Sequence, residues 1–581
     1  MTEYTILNKI NSPADVKKLY ADERKILAAE MRAAILNRVS KIGGHLGPNL
    51  GTVELAIALH TVFESPKDKI VLDVSHQSYP HKLLTGRRQG FQFEEHFSDI
   101  SGYTNPAESE HDQFIVGHTS TSVSLAAGLA KARDMQGQSG NVIAVIGDGS
   151  LSGGEAFEGL DNAGDFKSNF IVIVNDNEMS IAENHGGLYG NLAELRDSNG
   201  RAQNNYFKSL GFDYCYVADG NDTEALIAVL QEVKDSSRPV VIQVHTLKGK
   251  GYALAEQNKE QYHWLPPFNP KIGREMVDGG AKSYSEYVAD YLEEQAAHND
   301  KLAVINAATP EALALQNFRE VYPDKYFDVG IAEEHAIAFA SAMAKGGMKP
   351  VALFFGSFIQ RTYDQLSQDL CLNKLPAVLV IENCGITDMD ATHLSVFDIP
   401  LMSNIPNLVY LAPSCVDELR RMLYWAMAQT DFPVAIRTPV GAPQELKYVP
   451  QQTLELNKFE VTKNGSKIAI IGLGGMLPLA EKTADKLAEK GIDATIINPR
   501  FMTGLDEKLL GDLMLNHETV VTLEDGVVDG GFGEKISRFY SDKLIKVYNF
   551  GAAKEFTDRI PVNELYQRYN LTPEQIVKKV L

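Results

Sequence analysis

Only four cysteines, Cys215, Cys371, Cys384 and Cys415, occur in 581 residues, and none belongs to a CxxC pair. This argues against a disulfide framework and a thiolate zinc site, and it fits free thiols in a reducing compartment. Basic residues are also outnumbered: 55 Lys and Arg stand against 76 Asp and Glu, a formal charge of −21. Broad binding to nucleic acid or to anionic membranes is disfavoured on that balance. Small phosphorylated ligands stay possible, because backbone N–H groups or a metal hold them whatever the net charge. No run reaches the ~20 unbroken apolar residues that a membrane-spanning helix needs. The N-terminal stretch MTEYTILNKINSPADVKKL has no apolar segment behind a basic start. Short-period repeats and low-complexity tracts are missing as well. The expectation is a cytoplasmic protein with neither membrane nor nucleic-acid partners.

What is present is the composition of a folded chain, 44% hydrophobic and 23% charged, in a length too great for one hydrophobic core. Apolar β-rich runs (VIAVIGDGS, FIVIVND, PVVIQVH, PVALFF, AVLVIEN, KIAIIGLG) alternate with stretches of helical period. That alternation predicts parallel α/β architecture with several sheets. Composition shifts marked by Pro and Gly, near residues 264–283 and 438–466, divide the chain into three α/β domains, 1–270, 280–445 and 460–581.

The most informative local pattern is AVIGDGSLSGG. A strand is predicted to end at Ile146, a turn to carry Gly147, Asp148 and Gly149, and a helix to begin near Gly153. A second strand, FIVIVNDN, is predicted to end at Asn177, 29 residues after Asp148. Neighbouring strand ends at the carboxyl edge of a parallel sheet are where α/β folds bind ligands. A carboxylate, an amide oxygen and a backbone carbonyl are hard donors that supply half of an octahedral Mg²⁺ shell, leaving the rest to a diphosphate and water. A lone GDG is usually a plain turn; its pairing with NDN after a second buried-type strand is what gives it weight. IIGLGGM, with Gly472, Gly474 and Gly475, lacks the third glycine and the acidic partner of a dinucleotide fingerprint and is read as packing.

At this point the sequence resembles the thiamine diphosphate enzymes of the transketolase group. It is most similar to the 1-deoxy-D-xylulose-5-phosphate synthase family, through GGHLGPNLGTVELAIALH, LDVSHQSYPHKLLTGR, GHTSTSVSLAAGLAKARD, VIVNDNEMSI, DVGIAEEHAIAFA and FIQRTYDQ. The resemblance implies a transketolase-like fold of three parallel-sheet α/β domains, a homodimer, and thiamine diphosphate with Mg²⁺ as cofactors. Asp148, Asn177 and the Met179 carbonyl would hold the metal, with Gly147, Gly149, His118 and Thr119 lining the cofactor site. Glu333, in IAEEHA, would share a proton with the aminopyrimidine N1′, promoting the imino tautomer that activates the thiazolium carbon. Phe358 would be the platform for the pyrimidine ring. His45 and His76 would reach the reacting carbonyl, His76 also touching the cofactor, while His81 and Lys82 are read as structural or rim residues.

The likeness weakens where that family is expected to grip its aldehyde. Its DRAG and THxG segments become ENCGITDMDATHLSVFD, which puts Asn383 in place of an arginine, keeps His393, and leaves Asp388 or Asp390 for the loop aspartate. Its RYPRG becomes RTPVG, keeping Arg437 and putting Val440 in place of the second arginine. Phe355 stands where a tyrosine is usual. At roughly 1.5–3 kcal/mol for each charged hydrogen bond, two lost arginines are expected to weaken phosphate binding on the order of a hundredfold. The substrate-binding set is then His45, Arg361, His393 and Arg437, with His393 also catalytic. The leading expectation is a carboligase that decarboxylates pyruvate and adds the two-carbon unit to an aldehyde such as glyceraldehyde 3-phosphate. Its rivals are a related enzyme with an unphosphorylated acceptor, a transketolase, and a silent regulatory homologue.

Overall fold

The apolar runs become the strands of three sheets. The structure is a computed structural model that describes residues 4–273, 281–451 and 453–581. The stretches expected to separate domains, near 264–283 and 438–466, therefore fall in part on residues 274–280 and 452, outside the described residues. The chain forms two compact units, Met1–Asp278 with Gly330–Ala332, and Gly279–Val329 with Glu333–Leu581.

The first unit is built on five parallel strands: β1 (Lys69–Leu72), β2 (Val142–Gly147), β3 (Phe170–Asp176), β4 (Asp213–Val217) and β5 (Pro239–His245), in the order β1-β2-β3-β5-β4. Side chains alternate across a strand, and here both sides are dry. Val142, Ala144 and Ile146 of β2 belong to a core under helices α1 (Ser122–Met135) and α2 (Gly154–Gly164). Ile143 and Val145 enter a separate core on the opposite face. Each such side chain contributes roughly 1.5–3 kcal/mol on burial, so the strands read as unbroken apolar runs and hold their ends firmly. At the amino end of β2, Asp68 Oδ1 accepts the Asn141 N–H at 2.6 Å and its side-chain amide at 3.1 Å. Asn141 in turn accepts the Asp235 N–H at 2.8 Å.

The second unit holds two sheets. Six parallel strands, β6 (Leu302–Asn306), β7 (Tyr326–Asp328), β8 (Lys349–Phe355), β9 (Val378–Cys384), β10 (Val409–Leu411) and β11 (Val434–Pro439), run in the order β10-β11-β9-β8-β6-β7. The other five are β12 (Glu460–Lys463), β13 (Lys467–Gly472), β14 (Thr495–Asn498), β15 (His517–Val527) and β16 (Lys546–Ala552), in the order β12-β14-β13-β15-β16. Only the β12–β14 pair in that sheet is antiparallel. One continuous core joins the two sheets, including Ala352, Phe354, Leu379 and Ile381 from the first and Ala469, Ile471 and Ile497 from the second. That shared core explains why they count as one unit.

Strand ends fall within a residue of expectation: β2 extends to Gly147 and β3 stops at Asp176. The helix after GDG starts at Gly154, because a 3₁₀ turn over Gly149–Ser152 comes first. Gly472 would place a Cβ 2.9 Å from Leu477 Cα, which supports the packing reading of IIGLGGM. All four cysteines are unpaired. Among the described residues no helix is long and apolar enough to cross a membrane.

Candidate active site

In the first unit, the carboxyl edge of β1, β2 and β3 gathers three loops. Asp148 leaves β2 with its N–H on Asn175 O of β3 at 3.1 Å. Its side chain is 1% exposed; Oδ2 accepts Asn184 Nδ2 at 2.7 Å, and Oδ1 has no hydrogen-bond partner. The Asn177 N–H also points to this carboxyl. Burial, with Asp176 nearby, pushes it up to about 7. Gly149 is required sterically, since a Cβ there would lie 2.7 Å from Ser180 Cα on the Asn177–Met179 loop. Lys248, 2% exposed, donates to Ser180 O at 2.7 Å and is pulled down to about 7 by burial, Asp148 opposing. Asp176 is engaged elsewhere, accepting from Arg196 Nη1 at 2.7 Å and Gln243 Nε2 at 2.6 Å.

The same edge brings histidines together. The His45 and His76 rings lie 4.9 Å apart, and His263 lies 5.4 Å and 5.2 Å from them. A short antiparallel ladder sets His263 here, pairing His45 with Trp264. Asn49, fully buried, clamps the pair: its Nδ2 donates to His45 O at 2.8 Å and to His76 O at 2.7 Å, while Oδ1 accepts the Tyr79 N–H at 2.9 Å. Burial holds His45 and His263 well below the ordinary histidine value, assisted by neighbouring imidazoles and Lys248. That shift favours the neutral imidazole, which can donate or accept one proton without a standing charge. Before His76, Val74 and Ser75 adopt φ of 57° and 65°. This is strained backbone, costing roughly 1–3 kcal/mol per residue. It is over-determined by Asp73, whose carboxylate accepts the N–H groups of Ser120 at 2.9 Å and Ser122 at 3.0 Å. Ser75 Oγ adds a bond to Val116 O at 2.9 Å. His118 and Thr119 ride on the loop so anchored.

His81 and Lys82 are structural and not at a rim. Lys82 is fully buried and pairs with Glu108 at 2.6 Å, and His81 Nε2 bonds Asp112 at 3.0 Å.

In the second unit, Glu333 opens helix α3 (Glu333–Lys345) and is 4% exposed. Burial raises its carboxyl, while Arg361 Nη1, 3.5 Å away, opposes the rise. Phe358 precedes Arg361 on one turn, packing at 5.5 Å on Phe355 and edge-on at 5.7 Å to His393. Thr392 Oγ1 lies 2.9 Å from His393 Nδ1. Glu333, Phe358, Arg361 and His393 are thus linked within one unit.

Sequence comparison speaks to both halves. A family profile described as 1-deoxy-D-xylulose-5-phosphate synthase matches residues 7–205. Profiles for the transketolase thiamine diphosphate-binding, pyrimidine-binding and C-terminal domains match 114–306, 281–444 and 457–576. The 1-deoxy-D-xylulose-5-phosphate synthase of Symbiobacterium thermophilum is 41% identical over 99% of this chain and 94% of its own length. The chain belongs to the 1-deoxy-D-xylulose-5-phosphate synthase family. The Carboxydothermus hydrogenoformans synthase agrees, at 41% identity over 99% of this chain and 98% of its own. A transketolase structure from Campylobacter jejuni aligns with 95% of this chain and 98% of its own at 17% identity, with a TM-score of 0.44. The fold is of the transketolase type, with parallel-sheet α/β domains.

The aldehyde side of this 1-deoxy-D-xylulose-5-phosphate synthase family member departs from expectation at Arg437. Expected to bind substrate, Arg437 is instead 1% exposed, with Nε on Asp398 at 2.7 Å and Nη1 on Asp525 at 2.6 Å. Tyr410 also donates to Asp398, at 2.6 Å. The guanidinium is enclosed by carboxylates and ties β11 to the last sheet. Arg437→Met is expected to lower the unfolding free energy by about 3–5 kcal/mol, because two buried aspartates lose their counter-charge. Urea titration measures this; a substrate-gripping arginine would change KM and leave the midpoint in place. Asn383 sits at φ 57°, where the β9–β11 register shifts. Asparagine tolerates this left-handed geometry better than arginine does.

The residues fit the family's cofactors. Asp148 Oδ1 is a buried carboxylate oxygen without a hydrogen-bond donor, a hard donor suited to the cation of a Mg²⁺ diphosphate. Among the described residues no three His, Cys, Asp or Glu cluster as a metal site. One carboxylate, one amide and one carbonyl need no such cluster. Asn49, Lys248 and His263 were not legible from motif spacing. The ladder that carries His263 has only two residues per strand.

Proposed function

We propose that this chain is a thiamine diphosphate- and Mg²⁺-dependent transferase that decarboxylates pyruvate and joins the two-carbon remainder to glyceraldehyde 3-phosphate, yielding 1-deoxy-D-xylulose 5-phosphate and CO₂. The observation that carries this reading is family membership along the whole chain, together with the orphaned carboxylate oxygen of Asp148. Asp148, Asn177 and the Met179 carbonyl hold the metal; Gly147, Gly149, His118 and Thr119 line the diphosphate side; Phe358 supports the pyrimidine ring. When bound, thiamine diphosphate supplies a carbon nucleophile and a sink for the electron pair released with CO₂.

The protein's own groups manage protons and exclude water. Glu333, buried at a helix start, shares a proton at the pyrimidine N1′, and Arg361 steadies the carboxylate left when that proton moves. The imidazoles of His45 and His76 donate to the oxygen of the reacting carbonyl, their backbones held by Asn49. His393 serves the aldehyde oxygen in the same way. With Arg437 enclosed, the acceptor phosphate depends on other groups, Arg361 and His393 among them. A cytoplasmic homodimer that acts on small molecules completes the reading.

Product analysis by mass spectrometry tests it, with pyruvate, Mg²⁺ and thiamine diphosphate plus glyceraldehyde 3-phosphate, glyceraldehyde or no aldehyde. The expected result is 1-deoxy-D-xylulose 5-phosphate formed faster than its unphosphorylated analogue. Pyruvate left intact in every reaction would overturn the donor assignment, and preference for glyceraldehyde would overturn the acceptor.

A further inference from the structure

The second unit contains a cavity of about 230 Å³ between the carboxyl ends of β9 and β11 and the last sheet. It has room for an organic molecule of several heavy atoms. Among the described residues no Lys, Arg or His lines it. The more buried of its two acidic residues is Asp525, 5% exposed. The Asp525 carboxylate takes the Arg437 bond and a bond from its own backbone N–H. Arg437, behind this wall, is already shared with Asp398, so two aspartates face one guanidinium. Asp388 adds a further acid where the wall is exposed. Thr387, also on the wall and 5% exposed, has a hydroxyl without a hydrogen-bond partner. Ile386, Pro478 and Val440 give apolar patches between the polar side chains of Tyr284, Ser414, Gln444 and Tyr566.

We propose that this cavity binds a small hydroxylated organic cation of the amino-alcohol class. A protonated amine answers the Asp525 and Asp388 carboxylates, hydroxyl groups answer Thr387 and the polar side chains of the wall, and the carbon skeleton covers the apolar patches. An anion finds no cationic side chain here, and a bare metal ion leaves the patches of Ile386, Pro478 and Val440 uncovered. Cys384–Asp388 continues into the loop that carries His393, so an occupant touches the segment next to that residue.

Calorimetric titration of the full-length holoenzyme tests this with three-carbon probes that differ mainly in charge: 2-amino-1,3-propanediol, glycerol and glycerate. The amino alcohol is expected to bind, and the other two are expected to bind at least about tenfold more weakly. Asp525→Asn also disturbs Arg437, so the decisive variants are Asp388→Asn and Val440→Arg, at exposed positions whose change leaves the core intact. Asp388→Asn is expected to weaken amine binding about tenfold, and Val440→Arg, which brings a cation to the wall, to abolish it. Equal binding of glycerol or glycerate, an unchanged amine affinity in both variants, or no amine binding at millimolar concentration overturns the proposal. Because binding is read without turnover, failure here leaves the carboligase assignment to its own test.

Discussion

Glu333→Gln is expected to lower kcat by about 10²–10⁴-fold, the span usual for loss of a positioned proton-transfer group. The substitution keeps size and shape and removes only the transferable proton. Glu333 is 4% exposed, and burial raises its carboxyl, so at neutral pH it holds a proton more readily than a surface glutamate does. Arg361, 3.5 Å away, keeps the ionised form accessible. Both states are therefore within reach, as proton sharing requires. Cofactor affinity, followed by fluorescence quenching, is expected to change far less than kcat. A variant that turns over like the parent chain would remove Glu333 from the mechanism.

Asp148→Asn is expected to abolish Mg²⁺-dependent activity, by about three orders of magnitude or more, and yet to stabilise the cofactor-free protein. The two effects share one cause. Removing a ligand that carries the charge of the site weakens metal binding severely. Without metal, the same carboxylate is a buried charge with one orphaned oxygen. Its carboxyl is pushed from an ordinary value near 3.8 up to about 7. A carboxyl raised in this way costs nothing below its unfolded value, where both states are protonated; as pH rises toward 7 the unfolded chain ionises first and stability falls. Melting curves of the metal-free parent chain are expected to decline over that window, and those of Asp148→Asn to decline less. Added Mg²⁺ and thiamine diphosphate should raise the melting temperature of the parent and leave the variant unmoved. If the metal-free variant melts lower than the parent at neutral pH, the account of Asp148 as a costly buried carboxylate with one orphaned oxygen fails.

Much of this was legible in the order of residues alone. GDG and NDN are local: each is a strand end followed by a turn, so their pairing at one sheet edge follows from the β-α-β rhythm. Glu333 and Phe358 lie in short local motifs, and the fold links both to neighbours within one unit, Glu333 to Arg361 and Phe358 to His393. His263 and Lys248 arrive by tertiary packing, through a two-residue ladder and the loop after β5, and nothing beside them in the chain announces it. Arg437 shows the opposite error. Its motif survives, but its environment is set by Asp398 and Asp525, distant in sequence, and these turn a candidate phosphate ligand into a buried tie. Asn383 falls between these cases: the substitution is visible in the sequence, but the left-handed backbone that accompanies it is not.

The apolar strands carry one more consequence. Because both faces of β2 are greasy, sliding this strand by one residue exchanges valines and isoleucines between two cores that accept either, so packing alone is a poor ruler. The slide would nonetheless carry Asp148 about 3.3 Å along the strand direction, away from the Asn177 loop. What marks the correct notch is the polar clasp at the far end, Asp68 on Asn141 and Asn141 on Asp235. The Asp148 end of the strand is thus gauged from its opposite end. Small insertions within β2 should be tolerated for folding and punished in catalysis.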